Sequence, residues 1–191
     1  GPFAYGTLYV TGGEHAHYFR VPRDGDGGLK QVLLNGDREA EGKDYCRLSG
    51  LDHAPQHDKG LWAYDDKGSE YFTLKVRDLK TLEDRHDAIA NTGGGGVWAP
   101  DAKSFFYTAL DENHRPSKIF HHILGEPQEK DRLVYEEKDP GFFMSVGGSL
   151  LDDFIYIDIH DHETSEYRLI PTKDLLAAPI VVAPRQTGLE Y

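Results

Sequence analysis

The sequence predicts an all-β protein, an arc of a β-propeller about four blades long, each blade a four-stranded antiparallel sheet. Three observations predict it. Aromatic residues are plentiful, 11 Tyr and 9 Phe beside a single Met, and such side chains suit a pleated, half-buried surface. A polar turn followed by a short aromatic strand returns at Leu61, Phe105 and Phe154, spaced 44 and 49 residues apart. No segment carries the 3.6-residue period of helical repeats.

Taken along the chain, residues 1–44 read as an incomplete blade with strands near 5–10, 17–21 and 31–34. A blade over 45–92 contains Asp58-Lys59-Gly60-Leu61-Trp62-Ala63-Tyr64, then a turn-rich acidic stretch, then a strand at 71–79. There Phe72, Leu74 and Val76 alternate with Thr73, Lys75 and Arg77, the period of two that marks a strand with one buried face. A short strand at 88–90 closes it. The blade over 93–141 repeats the plan, with Asp101-Ala102-Lys103-Ser104-Phe105-Phe106-Tyr107-Thr108, a strand at 118–124 and a closing strand at 133–135. The blade over 142–188 does so again, with Asp152-Asp153-Phe154-Ile155-Tyr156-Ile157, a strand at 167–170 and a closing strand at 180–182. Residues 189–191 open a further blade. About four blades leave a ring unclosed, because each blade buries its faces against its neighbours. Such an arc is expected to be a fragment, and to dimerise or oligomerise through its exposed blade faces.

Composition excludes several roles. The formal net charge of −12 disfavours nucleic acid as a partner and favours basic ligands. No apolar run approaches the roughly 18 residues that span a bilayer, so no membrane partner is expected. Cys46 is the only cysteine; it reads as a small buried filler, and no intrachain disulfide can form. Gly93-Gly94-Gly95-Gly96 leads into the strand Val97-Trp98 without a following Lys-Ser or Lys-Thr, so it is a flexible inter-blade connection and not a phosphate cradle. Trp62 and Trp98 read as blade-core aromatics. His15 with His17, and His160 with His162 beside Glu163, have the i, i+2 spacing that puts two ligands on one side of an extended chain. Turn histidines are more simply hydrogen-bonding residues, so no metal and no cofactor is assigned.

The repeats carry a likeness. Lys67-Gly68-Ser69-Glu70-Tyr71-Phe72-Thr73-Leu74-Lys75-Val76-Arg77-Asp78-Leu79 resembles a blade of the oligopeptidase B (protease II) branch of the prolyl oligopeptidase family. So do Leu110-Asp111-Glu112-Asn113-His114-Arg115-Pro116, Leu133-Val134-Tyr135-Glu136-Glu137-Lys138-Asp139 and His160-Asp161-His162-Glu163-Thr164-Ser165-Glu166, in the family's order and spacing. Gln31-Val32-Leu33-Leu34-Asn35-Gly36 and Ala40-Glu41-Gly42 extend the match. The resemblance implies a cytoplasmic parent with a propeller of about seven blades and an α/β-hydrolase domain bearing a Ser/Asp/His triad. That parent cleaves short peptides after Arg or Lys. The chain departs from the pattern in one respect: it has no Gly-x-Ser-x-Gly nucleophile elbow. Gly147-Gly148-Ser149-Leu150-Leu151 lacks the second glycine, so no catalytic residue is assigned and the chain alone should be inactive.

The acidic stretches between second and third strands are the candidate site. Asp65, Asp66, Glu70, Asp111, Glu112, Asp161, Glu163 and Glu166 are opposed by only Lys67 and Arg115, which leaves these loops at −6; His160 borders the third. By resemblance this face meets the hydrolase domain of the same parent chain. Its carboxylates would gate the cavity, attract short basic peptides and dock that domain, or they are simply the solvated polar turns of an acidic protein. A rival reading is a stand-alone propeller serving as a protein-binding scaffold. A propeller glycosidase using Asp111 or Asp161 is weaker still.

Overall fold

The computed structural model describes residues 1–24 and 29–191, an all-β arc of propeller blades. Strands β1 (Phe3–Leu8), β2 (His17–Pro22) and β3 (Gln31–Asn35) form an antiparallel sheet in that order. The short helix α1 (Gly36–Ala40) follows, capped by the Asn35 side-chain oxygen, which accepts from the Arg38 N–H at 3.0 Å. Strands β4 (Arg47–His53), β5 (Lys59–Asp65), β6 (Phe72–Asp78), β7 (Asp84–Trp98), β8 (Ser104–Leu110), β9 (Pro116–Ile123) and β10 (Arg132–Glu136) then make one seven-stranded sheet in sequential order. Strands β11 (Phe143–Gly148), β12 (Phe154–His160), β13 (Ser165–Pro171) and β14 (Ile180–Val181) make the last sheet.

The seven-stranded sheet is two blades joined through β7. The first part of β7 pairs with β6, from Arg77↔Asp84 to Phe72↔Thr92. Its last part pairs with β8, from Gly96↔Tyr107 to Trp98↔Phe105. The glycine run is the inter-blade connection that the sequence suggests, but it is not a loop: it lies toward the C-terminal end of a continuous 15-residue strand. Neighbouring side chains hold it there. The buried Thr92 hydroxyl donates to the Phe72 carbonyl at 3.0 Å and accepts from the Gly94 N–H at 3.2 Å. The Ser49 hydroxyl donates to the Gly94 carbonyl.

The repeat read from the sequence is also a repeat of backbone. At the turn between first and second strands, Ala54 N–H donates to the Lys59 carbonyl, Ala99 N–H to Ser104, and Ser149 N–H to Phe154. Each turn passes through one left-handed residue, His57 (φ 60°), Ala102 (51°) and Asp152 (57°). Ser149 is a turn residue here: its hydroxyl accepts from the Phe154 N–H at 3.0 Å.

Cores lie between blades, so the middle blade is buried on both faces. Along β8, Phe105 and Tyr107 pack with Leu61, Leu74 and Trp98 on one side, while Phe106 packs with Ile119, Ile155 and Ile157 on the other. Strand β12 has one covered face: Ile155, Ile157 and Ile159 are buried, and Tyr156, Asp158 and His160 on the other face are half-buried. Burying side chains of this size stabilises by about 1.5–3 kcal/mol each. Trp62 and Trp98 are core aromatics, at 2% and 8% exposure. Cys46 is a free thiol but only half-buried, because it lies in the connection before β4 and outside either core. Polar seams reinforce the packing. Arg77 bridges sheets by pairing with Glu39 at 2.8 Å and Asp84 at 2.7 Å while its guanidinium lies 5.0 Å from the Trp62 ring centre.

Candidate functional site

The antiparallel order puts the connections from second to third strand at the same end of each blade as the passage to the next blade. Contacts tie these ends into one face. Tyr71 OH donates to the Asp111 carbonyl at 2.8 Å, and its ring lies 4.2 Å from that of His114. Arg115 donates to the Asp139 carbonyl at 2.8 Å, which joins the second loop to the passage into β11.

Within each loop the first acid builds the turn. The Asp65 carboxylate, 2% exposed, accepts from the N–H groups of Lys67 at 2.9 Å and Glu70 at 2.7 Å. Burial alone would push its carboxyl up, but these N–H donors and Ser69 hold it below the usual carboxylate range. Asp111 accepts from Asn113 and Arg115 N–H and pairs with the Arg115 guanidinium at 3.1 Å. There too burial acts upward and the Arg115 and Asn113 donors prevail, lowering the pKa. Asp161 is held low by the Glu163 N–H first and the Thr164 N–H after it. The first sheet has a counterpart between β1 and β2. There Asp37 of α1 supplies the carboxylate, accepting from the N–H groups of Glu14 and His15 at 2.9 Å and meeting His17 Nε2 at 2.8 Å.

The other predicted residues divide into two groups. Asp66, Glu70, Glu112 and Glu163 are exposed on the loop face. Glu166 is not on that exposed rim: it is buried in β13, paired with Arg168 at 2.7 Å and with Arg185 at 3.5 Å. His160 ends β12, half-buried, with Nδ1 3.3 Å from Asp158 on the face of the last sheet that points away from β8 and β9. Among the described residues, no hydrogen bond links the carboxylates of one acidic loop to those of the next.

Two features escaped the sequence reading. Glu137, buried, pairs with Arg185 and accepts from the Asp139 N–H at 2.9 Å. Burial raises its pKa and Arg185, the larger of the opposing influences, brings it below the ordinary value. The second is a cleft of about 540 Å³ lined by Asp52, Glu70, Gly93, Gly95, His114 and Met144 among others. The glycine run and the candidate acid Glu70 were its signals in the sequence. Among the described residues no cluster of three or more His, Cys, Asp or Glu side chains is arranged to hold a metal. No helix of the described residues is long and apolar enough to cross a membrane. The site offers charge, hydrogen bonds and shape.

The profile of the prolyl oligopeptidase N-terminal β-propeller domain matches residues 1–191. The chain belongs to that family. This propeller is 36% identical over 173 residues to dipeptidyl aminopeptidase BI of Pseudoxanthomonas mexicana, covering 87% of the chain and 23% of that protein. Protease 2 of Moraxella lacunata is 29% identical over 164 residues, covering 85% of the chain and 24% of its own length. Among solved structures, oligopeptidase B from Leishmania major superposes on the propeller with a TM-score of 0.92 at 29% identity, over 98% of the chain and 27% of that structure. Oligopeptidase B from Trypanosoma brucei, with covalently bound antipain in a closed form, gives 0.89 at 30% identity and the same coverage. The propeller thus spans about a quarter of the length of these relatives.

Proposed function

We propose that the chain is a non-catalytic propeller segment of a serine oligopeptidase that cleaves short peptides after Arg or Lys. Its loop face gates substrate entry, attracts basic peptides and docks an α/β-hydrolase domain of the same parent chain. The observation that carries this reading is the division of labour among the loop acids. Asp65, Asp111 and Asp161 shape the turns, and Asp66, Glu70, Glu112 and Glu163 stand free toward solvent on one face. Four exposed carboxylates on one side of a chain of net charge −12 raise the local concentration of cationic peptides. The single cysteine, free in the structure, accords with a cytoplasmic setting.

The test replaces Asp66, Glu112 and Glu163 together with their amides in the full-length protein. KM for a short arginine-containing peptide should rise about threefold to tenfold at low ionic strength, and the difference should shrink as salt is added. An unchanged KM at low salt refutes electrostatic attraction by this face. Loss of the effect of salt in the wild type would refute it equally.

A further inference from the structure

Among the described residues three ion pairs tie one blade to the next, the first sheet counted as a blade, and all three share a direction. Arg77 of β6 reaches back to Glu39 of α1 at 2.8 Å. His122 of β9 reaches back at 3.1 Å to Asp87, in the part of β7 that pairs with β6. Arg185, beyond β14, reaches back to Glu137, which follows β10. Each time the carboxylate comes from the earlier blade and the basic side chain from the later one. Arginines that reach forward meet carbonyl oxygens instead: Arg20 those of His57 and Leu79, and Arg132 that of Leu175. The two arginines that reach back also lie over aromatic rings, Arg77 over Trp62 at 5.0 Å and Arg185 over Phe142 at 4.1 Å.

The forward face of the last blade offers a carboxylate of the same kind. Counted from the turn bonds at Ser104 and Phe154, Tyr156 and Asp158 are the equivalents of Phe106 and Thr108. The last sheet buries Phe106 completely, whereas Tyr156 and Asp158 are half-buried, with no further sheet over them among the described residues. Asp158 Oδ1 is shielded from solvent yet has no hydrogen-bond partner among the described residues, and Oδ2 lies 3.3 Å from His160 Nδ1. A carboxylate oxygen left in that state is costly, so the position calls for a donor. Asp158 and His160 border a cleft of about 240 Å³ with Asp161, Tyr167, Glu190 and Tyr191, and neither Lys nor Arg lines it. Ser165 N–H donates to the Leu189 carbonyl and Tyr191 N–H to the Ser165 hydroxyl, so residues 189–191 lie along this end of the face.

We infer that this corner is the docking point for a basic side chain, an arginine, carried by the blade that follows in the parent chain and seated on Asp158 with Glu190 beside it. The chain spans about a quarter of the length of its relatives, which leaves ample chain to supply that blade. Three carboxylates without a cation complement a guanidinium, and the Tyr167 and Tyr191 rings give it the aromatic bed that Arg77 and Arg185 have elsewhere. The inference rests on the reading of the chain as a segment of a longer propeller, not on peptidase activity.

The experiment uses the full-length protein at pH 8, where an ordinary histidine is uncharged and no imidazolium stands in for the base. Asp158→Asn keeps the shape and removes the charge. It should lower the thermal midpoint by about 2–4 °C, as Glu137→Gln should at the observed pair with Arg185. An unchanged or raised midpoint in Asp158→Asn overturns the docking point, because without a base above it the change only thins a group of like charges. Glu190→Gln should lower the midpoint less. It carries the test if Asp158→Asn fails to fold, and an unchanged midpoint there then overturns the proposal. A thiol probe separates this failure from failure of the segment reading. Leu169→Cys, opposite Tyr156 on the same face, is made in a Cys46→Ser background. Under a following blade its modification by dithionitrobenzoate should be about a hundredfold slower in the native than in the unfolded protein. A protected thiol with an unchanged Asp158→Asn midpoint refutes the base on Asp158 and leaves the longer propeller standing. A thiol that reacts at the unfolded rate refutes both.

Discussion

At Asp65 a buried carboxylate accepts two backbone N–H groups of its own turn, and at Glu166 a buried carboxylate holds two arginines. Both residues belong by sequence to one acidic pattern with the exposed Asp66 and Glu163. Burial and hydrogen bonding separate them, and neither is visible in residue type. Asp65→Ala strips the acceptor from the N–H groups of Lys67 and Glu70 and should cost about 2 kcal/mol, read as a lowered urea midpoint. Arg185→Met leaves Glu137 and Glu166 with less compensation for burial and should cost about 3 kcal/mol. If the Arg185→Met midpoint stays at the wild-type value, Arg168 and the Asp139 N–H suffice to satisfy the two carboxylates. The glycines give a matched pair. Gly94→Ala meets both a left-handed φ and the Phe72 ring and should destabilise. Gly95→Ala should stabilise by about 0.4–1 kcal/mol through the unfolded chain.

Strand β9 shows what alternation does to chemically identical neighbours. His121 and His122 point to opposite faces. His121 stacks on Phe106 at 4.3 Å toward the last sheet, and its Nε2 has no hydrogen-bond partner. Burial first, and Arg132 after it, bring its pKa down to about 4. His122, fully buried, lies between Asp131 at 2.7 Å and Asp87 at 3.1 Å; Asp131 also accepts from Tyr107 OH. Burial would lower its pKa, but hydrogen bonds and charge from Asp131 and Asp87 raise it above the ordinary value. The signs therefore differ. The unfolded chain takes up a proton at His121 near pH 6.5 and the folded chain only near 4, so stability falls as pH drops through that window. His122 contributes stability that is fully present below about pH 6.5 and is lost as pH rises through its raised folded pKa. His121→Phe should flatten the acid limb of a stability-against-pH curve, and His122→Phe the alkaline one. Titrating the two ring Cε1–H resonances by NMR checks the order of protonation. A His121 midpoint at or above that of His122 contradicts both assignments.

For the whole molecule the decisive feature is that blades bury one another. The last sheet covers β8 and β9 with Ile155, Ile157 and Ile159, and leaves Phe143 at 43% and Ile180 at 56% exposure, with Tyr156 and Tyr167 half-buried. Residues 1–191 expressed alone should self-associate through such faces, with sedimentation showing a mass that rises with concentration. A monomer at every concentration would show that this sheet needs no cover. The loop face acts at the same scale, because its acids come from three separate blades and only the arc brings them to one side. Salt dependence of KM in the full-length protein is the measurement proper to that arrangement.

The propeller repeat was legible in the chain because a strand with a polar turn before it and alternating side chains is a local pattern. Leu61, Phe105 and Phe154 announced three blades without any knowledge of what they pack against. The acidic loops were legible for the same reason, as charge concentrated in turns. What each acid does was not. Asp65 and Asp66 are neighbours in sequence, yet one is an internal acceptor and the other a free surface charge. The glycine run read as a flexible inter-blade connection and became part of the shared strand β7, held by Thr92 of the same strand and by Ser49 of β4. The cleft it lines draws on residues from Asp52 to Met144. Sequence alone determined the repeat, because local hydrophobic and turn preferences act within a few residues. Only the packing of blade on blade decided which charges were buried, which histidine held its proton and where a bare backbone faced solvent. Desolvation and hydrogen bonding depend on neighbours that the chain supplies from far away.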